Sequence, residues 1–593
     1  MSRGEGFTGA PSFGPTVAGR ETRFSLWAPG AEKVDLVIDG QPPIAMASSD
    51  GWWCCTADVG RDTAYMYRLA DGTSVPDPAS RAQRDDVHGP SVVVDPGAYH
   101  WQYPDWSGRP WEDVVLYELH PGLMGGYAGV AEHLPKLKEL GITAVELMPI
   151  ADFPGRRNWG YDGVLPFAPD AAYGTPADLK RLIDRAHELE MMMFLDVVYN
   201  HFGPDGNYLA AYAPQFFRND IATPWGAAID FRRPEVRKYF TDNALYWLTE
   251  YRFDGLRFDA VHAITEPDWL DEMAATVRRT IEPGRHVHLV LEHDGNIASH
   301  LTGDFDAQWN DDAHHVMHVL LTGETSGYYS DYSEAPAAKL ARALSDGFIY
   351  QGEPSPHRGG ERRGTPSGML PPSAFVFFLQ NHDQIGNRAF GERLTTLADP
   401  QSLKAAIALQ LLSPQIPLIF LGEEYGSEAP FLFFTDHNPE LAGAVREGRR
   451  REFAAFAAFA NADVEALPDP NAIGTFEQSR PVAPDETRGT ETFAFYQNLL
   501  DLRRRHVVPG IRGAHSTGAQ ALGDAAVIAS WRLGTGHDLT IACNLGVDPI
   551  PLVPISGDVI FASDPGMTTE VAAGRLPPRA TIAALGPAGA MER

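Results

Sequence analysis

A chain of 593 residues is too long for one ordinary hydrophobic core, and 44% hydrophobic with 10% aromatic content fits a large globular domain with smaller attachments. A formal net charge of -30 excludes nucleic acid and anionic membrane surfaces as expected partners, because no basic patch offsets it; Arg449-Arg450-Arg451 and Arg503-Arg504-Arg505 read as exposed helix sides. Three cysteines, Cys54 and Cys55 adjacent and Cys543 far away, supply neither a disulfide framework nor a spaced zinc site.

The first twenty residues are rich in Gly, Pro and Thr and hold no continuous apolar segment of the kind that directs secretion. Short alternating segments at 23–27, 33–38 and 64–68, separated by Ala-Pro-Gly and Asp-Gly turns, predict an N-terminal β-sandwich over 1–100, resembling a carbohydrate-binding module. Its aromatic residues Trp52, Trp53, Tyr65 and Tyr67 could stack on sugars, but the core is the expected place for most of them.

From Val114 the rhythm changes. Near-continuous apolar segments at 114–120, 144–149, 193–201, 255–259, 288–292, 305–311, 375–382 and 416–422 read as strands. Helical patterns at 130–140, 176–190, 234–251 and 268–280 fall between them. Eight such strands predict a multidomain α/β protein with a central (β/α)8 TIM barrel over 101–506, whose working groups project from the C-terminal strand ends. The stretch 200–229, rich in Gly, Pro, Asn and aromatics, reads as an excursion forming one wall of a cleft. Residues 330–372 contain a helix and then polar loop, and a helix over 491–506 is expected to close the barrel. Strands at 527–532, 538–544 and 559–562 predict a C-terminal β-domain over 507–593. The most apolar region, 405–422, is interrupted by Gln410, Ser413, Pro414, Gln415 and Pro417, so no membrane span is expected and the chain is expected to be cytoplasmic.

Gly255-Leu256-Arg257-Phe258-Asp259 organises the functional reading. Leu256 and Phe258 suit the barrel wall, whereas Arg257 and Asp259, two apart, share the other face of a strand. A guanidinium there holds the carboxylate ionised. Taken alone, the segment is equally an ion pair that serves the fold. Three further strand ends have the same design: Asp196 to His201, Leu289 to Asp294, and Gln380 to Asp383. Hydrolysis of an acetal through an oxocarbenium-like transition state needs one ionised carboxylate to attack and one protonated carboxyl to release the leaving oxygen. Arg257 keeps Asp259 charged, while apolar surroundings and nearby negative charge raise Glu292.

In this order the four segments closely resemble the signature regions of glycoside hydrolase family 13, the α-amylase superfamily. The resemblance implies Asp259 as nucleophile, Glu292 as general acid/base and Asp383 as the carboxylate that binds sugar hydroxyls and stabilises the transition state. It also implies that Arg257 orients the nucleophile and that His201 and His382 hydrogen-bond the sugar at the cleavage point. Tyr161, in Trp159-Gly160-Tyr161-Asp162-Gly163, matches the aromatic residue on which that sugar stacks. Within the superfamily, 200–208, 382–388, 422–426, 433–437 and 447–453 resemble the maltooligosyltrehalose trehalohydrolases. That narrower resemblance implies a retaining hydrolase that cuts the α-1,4 bond beside the terminal trehalose unit of maltooligosyl trehalose with water and no cofactor. Asp162, Trp309, Asp311, Gln384, Asn387 and Arg388 are expected as further substrate contacts. The family more often reads Val-Gly-Thr-Phe-Thr where this chain has 119–126, a departure that touches a local cleft contact and not the chemistry.

Two alternatives stand beside this reading: a glycogen-branching or debranching enzyme, which uses the same acids, and a catalytically silent glucan-binding protein. The full set of three carboxylates argues against the second. Asp196 is expected to support Arg257 rather than transfer protons. Asn200 resembles a calcium ligand of many relatives, but no surrounding acidic cluster completes a site, so no metal is predicted. His314, His315 and His318 lack the Glu of a zincin pattern and read as packing or as cleft lining. Trp225, Trp309, Tyr328 and Tyr329 are candidate sugar platforms.

Overall fold

The structure, a computed structural model, describes residues 12–223, 226–454 and 467–587. Trp225 therefore lies outside the described residues, as does most of the N-terminal Gly/Pro-rich stretch. The chain begins as two facing antiparallel sheets. Glu21–Trp27 pairs with Trp52–Ala57, and Val34–Ile38 pairs with Ala64–Leu69. Phe24, Leu26, Val34 and Leu36 are buried, and Tyr65 and Tyr67 place their rings in that core while both hydroxyls donate to Asp77 Oδ2 at 2.7 and 3.2 Å. Trp52 and Trp53 are half-buried: Trp52 packs on Phe13, and Trp53 donates from Nε1 to Ala28 O at 3.1 Å. All four aromatics are thus engaged by the sandwich itself.

The eight expected strands close into a barrel: β1 (Leu116–Leu119), β2 (Ala144–Leu147), β3 (Met192–Val197), β4 (Gly255–Phe258), β5 (His288–Leu291), β6 (Ala307–Trp309), β7 (Phe375–Phe378) and β8 (Ile416–Phe420), with β8 returning to β1. All neighbours are parallel, and every strand residue is buried, as strands covered on both faces must be. Leu116, Ala144, Met192, Phe194, Val290, Ala307, Val376 and Ile416 fill the interior. The helix Pro176–Glu188 packs one apolar stripe on the barrel, formed by Leu179, Leu182, Ile183 and Ala186. The helix starts sharply because Thr175 and Asp178 form a reciprocal capping box and Pro176 presets the first turn.

Most of the strands are shorter than their apolar runs. The reading of 193–201 ends as a strand at Val197, and that of 375–382 ends at Phe378. Beyond those points the chain leaves the ladder so that Asn200, His201, His382 and Asp383 lie over the mouth of the barrel. The helix Asp311–Thr322, called α1 below, was not foreseen; Asn310 caps it through a bond from Ala313 N. The helix Pro400–Leu412 was also hidden, because it is apolar all round and shows no helical period. It lies between barrel and C-terminal sheet: Ser402 Oγ donates to Leu545 O at 3.0 Å and Thr581 Oγ1 to Ala405 O at 2.8 Å.

In each basic run one arginine departs from the expected exposure, while Arg451, Arg504 and Arg505 lie on exposed helix sides. Arg503 is fully buried on the helix Glu486–His506, and its guanidinium donates to Leu411 O, in the last turn of Pro400–Leu412, and to Gln415 O in the turn beyond it, at 3.1 and 2.7 Å. Arg449 reaches Gly386 O at 3.2 Å and stacks over Phe433. The C-terminal sheet contains the three expected strands, with His515–Ala521 and Ala580–Pro587 added to them.

Candidate active site

The nucleophile candidate Asp259 follows β4 directly, and the acid candidate Glu292 follows β5, whose register sets Phe258 beside Leu291. One guanidinium joins them. Arg257 Nη1 donates to Asp259 Oδ1 at 2.9 Å and Nη2 donates to Glu292 Oε2 at 2.8 Å, a fork geometry that lysine could not supply. Ala260 takes a left-handed backbone with φ of 40°, and this sharp turn points its N–H at Glu292 Oε2, 2.8 Å away. Asn200 Nδ2 donates to the other oxygen of Asp259 at 2.8 Å and to its carbonyl at 2.9 Å.

These contacts separate the two acids. Burial pushes the Asp259 carboxyl up, but the Arg257 charge, His201 and the Asn200 amide outweigh it and hold the group below its ordinary range. Burial also pushes Glu292 up; Arg257 opposes this, and the negative charges of Asp259, Asp311 and Asp383 add to it, leaving the carboxyl well above the usual carboxylate range. The same arginine thus carries on its two arms one carboxyl that is depressed and one that is raised, the split that a nucleophile and an acid require.

A second layer fixes that arginine. Asp196 Oδ2 accepts from Arg257 Nη1 at 2.7 Å and from the Tyr161 hydroxyl at 2.6 Å, as the supporting role expected for it requires. Tyr161 stacks on His382 with ring centroids 5.0 Å apart, and His201 Nε2 donates to the Tyr161 carbonyl at 3.0 Å. Glu118 on β1 accepts from His382 Nδ1 and from its backbone N–H, and that carboxylate outweighs burial to raise the imidazole above its ordinary value. Asp162 accepts from Asn158 Nδ2 at 2.7 Å and lies beside His437.

Asp383, Gln384 and Asn387 belong to the short helix His382–Gly386, here α2, and its C-cap. With Glu292, Asp294, Asp311, Tyr328 and Arg358 they line a cleft of about 520 Å³ that opens beside the paired acids. Asn387 Nδ2 donates to Asp383 Oδ1, and the Tyr328 hydroxyl donates to Gln384 Oε1 at 3.1 Å. Arg388 turns away from that cleft: both its terminal nitrogens donate to Glu324, at 2.7 and 2.9 Å, and Glu324 also accepts from His318 Nε2 at 2.7 Å.

The structure thus gathers Asp259, Glu292, Asp383, Tyr161, His201, Arg257, His382, Gln384, Asn387 and Asp311 at one barrel mouth. It sets Trp309 apart: the ring is 1% exposed, with the Arg257 guanidinium 4.3 Å above it, so it supports the arginine from inside the barrel and offers no face to a sugar. Tyr329 is likewise buried against His318, while Tyr328 stays open to solvent. His314, His315 and His318 are buried, and all three are pushed down by burial and remain neutral. Among the described residues no cluster of three or more His, Cys, Asp or Glu is arranged to hold a metal ion, and Asn200 is engaged by Asp259 and His201. Sequence reading missed Glu118, Glu146 and Glu324. For the first two a signal existed, a lone acid inside the apolar strands Leu-Tyr-Glu-Leu and Ala-Val-Glu-Leu.

Three regions match described families: residues 12–96 match carbohydrate-binding module 48 (isoamylase N-terminal domain), 107–215 the α-amylase catalytic domain, and 514–582 a domain of unknown function, DUF3459. The chain is 42% identical over 504 residues to the malto-oligosyltrehalose trehalohydrolase of Deinococcus radiodurans, covering 83% of each. It is 40% identical over 501 residues to the protein of that name from Saccharolobus solfataricus, covering 82% of this chain and 85% of the other. A crystal structure described as a putative alpha amylase from Salmonella typhimurium superposes with a TM-score of 0.90 at 45% identity, over 97% of this chain and 100% of that one. By sequence over most of its length and by fold, the chain belongs to the malto-oligosyltrehalose trehalohydrolase family of the α-amylase superfamily.

Proposed function

We propose that this protein cleaves the α-1,4 bond next to the terminal trehalose unit of maltooligosyl trehalose, releasing trehalose with retention of anomeric configuration. The observation that carries the chemistry is Arg257 bridging two carboxyls that their surroundings push apart, Asp259 held below its ordinary range and Glu292 raised well above its own. Asp259 attacks the anomeric carbon while Glu292 gives its proton to the departing oxygen, so the bond breaks with trehalose as leaving group and a glycosyl–Asp259 ester remains. Glu292, now ionised, takes a proton from water as that water attacks the same carbon, which frees Asp259 and the maltooligosaccharide. Asp383 faces the reacting sugar from α2 and stabilises the positive charge that develops on it.

Selectivity for trehalose is supported by the cleft wall. Trehalose joins two glucoses through both anomeric carbons, so it has no reducing end and presents the hydroxyls of two rings, and Asp294, Asp311, Tyr328, Arg358, Gln384 and Asn387 offer both donors and acceptors there. A wall that pairs with hydroxyls rejects an analogue that leaves its polar groups unpaired. The test is product analysis with a defined maltooligosyl trehalose and a plain maltooligosaccharide of equal length. Much faster release of trehalose from the first is expected. Similar rates on both, or α-1,6 branches formed in amylose, would overturn the reading.

Among the described residues no helix is long and apolar enough to cross a membrane. Cys54, Cys55 and Cys543 are free thiols, in keeping with a reducing compartment, and we assign the protein to the cytoplasm.

A further inference from the structure

Glu146 stands in the middle of β2, its Cα paired with Glu118 on β1 and with Phe194 on β3. It is 1% exposed, and neither carboxyl oxygen has a hydrogen-bond partner among the described residues. The same is true of Asp196 Oδ1, Arg257 Nε and Trp309 Nε1, although Asp196 and Arg257 meet through other atoms at 2.7 Å and the guanidinium lies 4.3 Å from the Trp309 ring. Four side chains from β2, β3, β4 and β6 thus leave five buried polar atoms inside one barrel, beneath the paired acids. Buried polar groups in folded proteins are paired, and where protein supplies no partner an ordered water does, making about three bonds each.

The orphan atoms suit water in number and kind. Arg257 Nε and Trp309 Nε1 donate, and Asp196 Oδ1 accepts. A neutral Glu146 adds one donor and one acceptor. Ala144, Gly255 and Ala307, each two residues before Glu146, Arg257 and Trp309 on the same inward faces, are the small residues of the interior; the Phe194 ring takes the space over Gly255 and leaves that beside the two alanines. We propose that ordered water fills the barrel between Glu146, Asp196, Arg257 and Trp309, and that Glu146 is a positioning residue acting through it. Burial, with the charges of Glu118 and Asp196 added and that of Arg257 opposed, keeps this carboxyl protonated well above its ordinary range. Asp196 already gives Oδ2 to both Arg257 and Tyr161, so its other oxygen is the one that water can hold. Freed there, Asp196 would let the arginine drift from Asp259 and Glu292.

The inference rests on Asp259 and Glu292 as the reacting acids and not on selectivity for trehalose. A high-resolution crystal structure of the whole chain is expected to show water within hydrogen-bond reach of Glu146 and of at least one of Asp196 Oδ1, Arg257 Nε and Trp309 Nε1; a dry interior overturns it. Glu146→Gln keeps a neutral donor and acceptor, so its kcat and the acid limb of its pH profile should match those of the parent. Glu146→Leu should lose roughly tenfold or more in kcat with little change in KM, as misplaced catalytic groups do. A shifted limb in Glu146→Gln, or a folded Glu146→Leu with parental kcat, would show that the acid does not act in this way. Should Glu146→Leu fail to fold, the water positions and the Glu146→Gln profile still decide.

Discussion

The two walls of the active-site cleft are built on different principles. On the side of β4 and β5, Asp259, Glu292 and Arg257 follow or occupy barrel strands and lock one another through short bonds, with Asp196, Tyr161, Asn200 and Glu118 behind them. On the side of α1 and α2, Asp294, Asp311, Tyr328, Arg358, Gln384 and Asn387 sit on loops and helix ends and remain partly or fully open to solvent. The first wall is pre-organised by the barrel, so its geometry does not depend on substrate. The second presents many separate polar groups, each contributing little. The proposed roles divide in the same way, with chemistry on rigid strand ends and selectivity on the loops they support.

The largest expected effects fall on the first wall. Asp259→Asn keeps the shape but cannot form the ester, and a loss of ~10⁴-fold or more in kcat is expected with an unchanged melting temperature. Near-normal turnover in that variant would remove the nucleophile from Asp259. Glu292→Gln should lose most activity on natural substrate and far less on substrates with activated leaving groups, which need no proton; equal losses on both would mean that another group is the acid. The same pair sets the pH profile. The proposed mechanism requires Asp259 ionised and Glu292 protonated. Activity should therefore fail on the acid side only below the ordinary aspartate range, because Asp259 is depressed, and on the alkaline side only well above the ordinary glutamate range, because Glu292 is raised. Measured kcat/KM against pH checks both limbs, and Glu292→Gln should abolish the alkaline one.

Effects on the second wall should be smaller and selective. Gln384→Leu removes one polar group and its bond to Tyr328, and we expect a loss of about tenfold in kcat/KM on maltooligosyl trehalose with a smaller loss on a plain maltooligosaccharide. Equal losses on the two substrates would place Gln384 with the chemistry. Glu324→Gln tests the support behind this wall. It weakens the clamp on Arg388 at the end of α2, and a fewfold rise in KM at steady kcat is expected; Arg388→Gln should match it, and the double variant should add little to either. Additive losses would show that the two residues act apart.

The sequence alone carried the fold further than its boundaries. Eight apolar runs separated by helical periods dictate a parallel barrel, because strands buried on both faces need no polar alternation and their crossovers need helices. Where a helix has no polar face, as in Pro400–Leu412, no periodic signal exists, and Arg503 looked exposed because its run of charge hides which single guanidinium turns inward to a helix end. The strand-end acids were legible for a related reason: a charged group at the close of an apolar run is costly unless something pairs with it.

What only the tertiary structure decided is pairing. Nothing local in Trp309 distinguishes a sugar platform from a ring lying under Arg257, and nothing in Arg388 distinguishes a substrate contact from a partner for Glu324, 64 residues earlier. Glu118 and Glu146 occupy the same position in successive strands of similar composition, yet one meets His382 across 264 residues and the other meets no protein group among the described residues. Residue type and period determine that a side chain faces the barrel interior. Which group it finds there is set by closure of the barrel, which brings distant strands together and is written in no single segment.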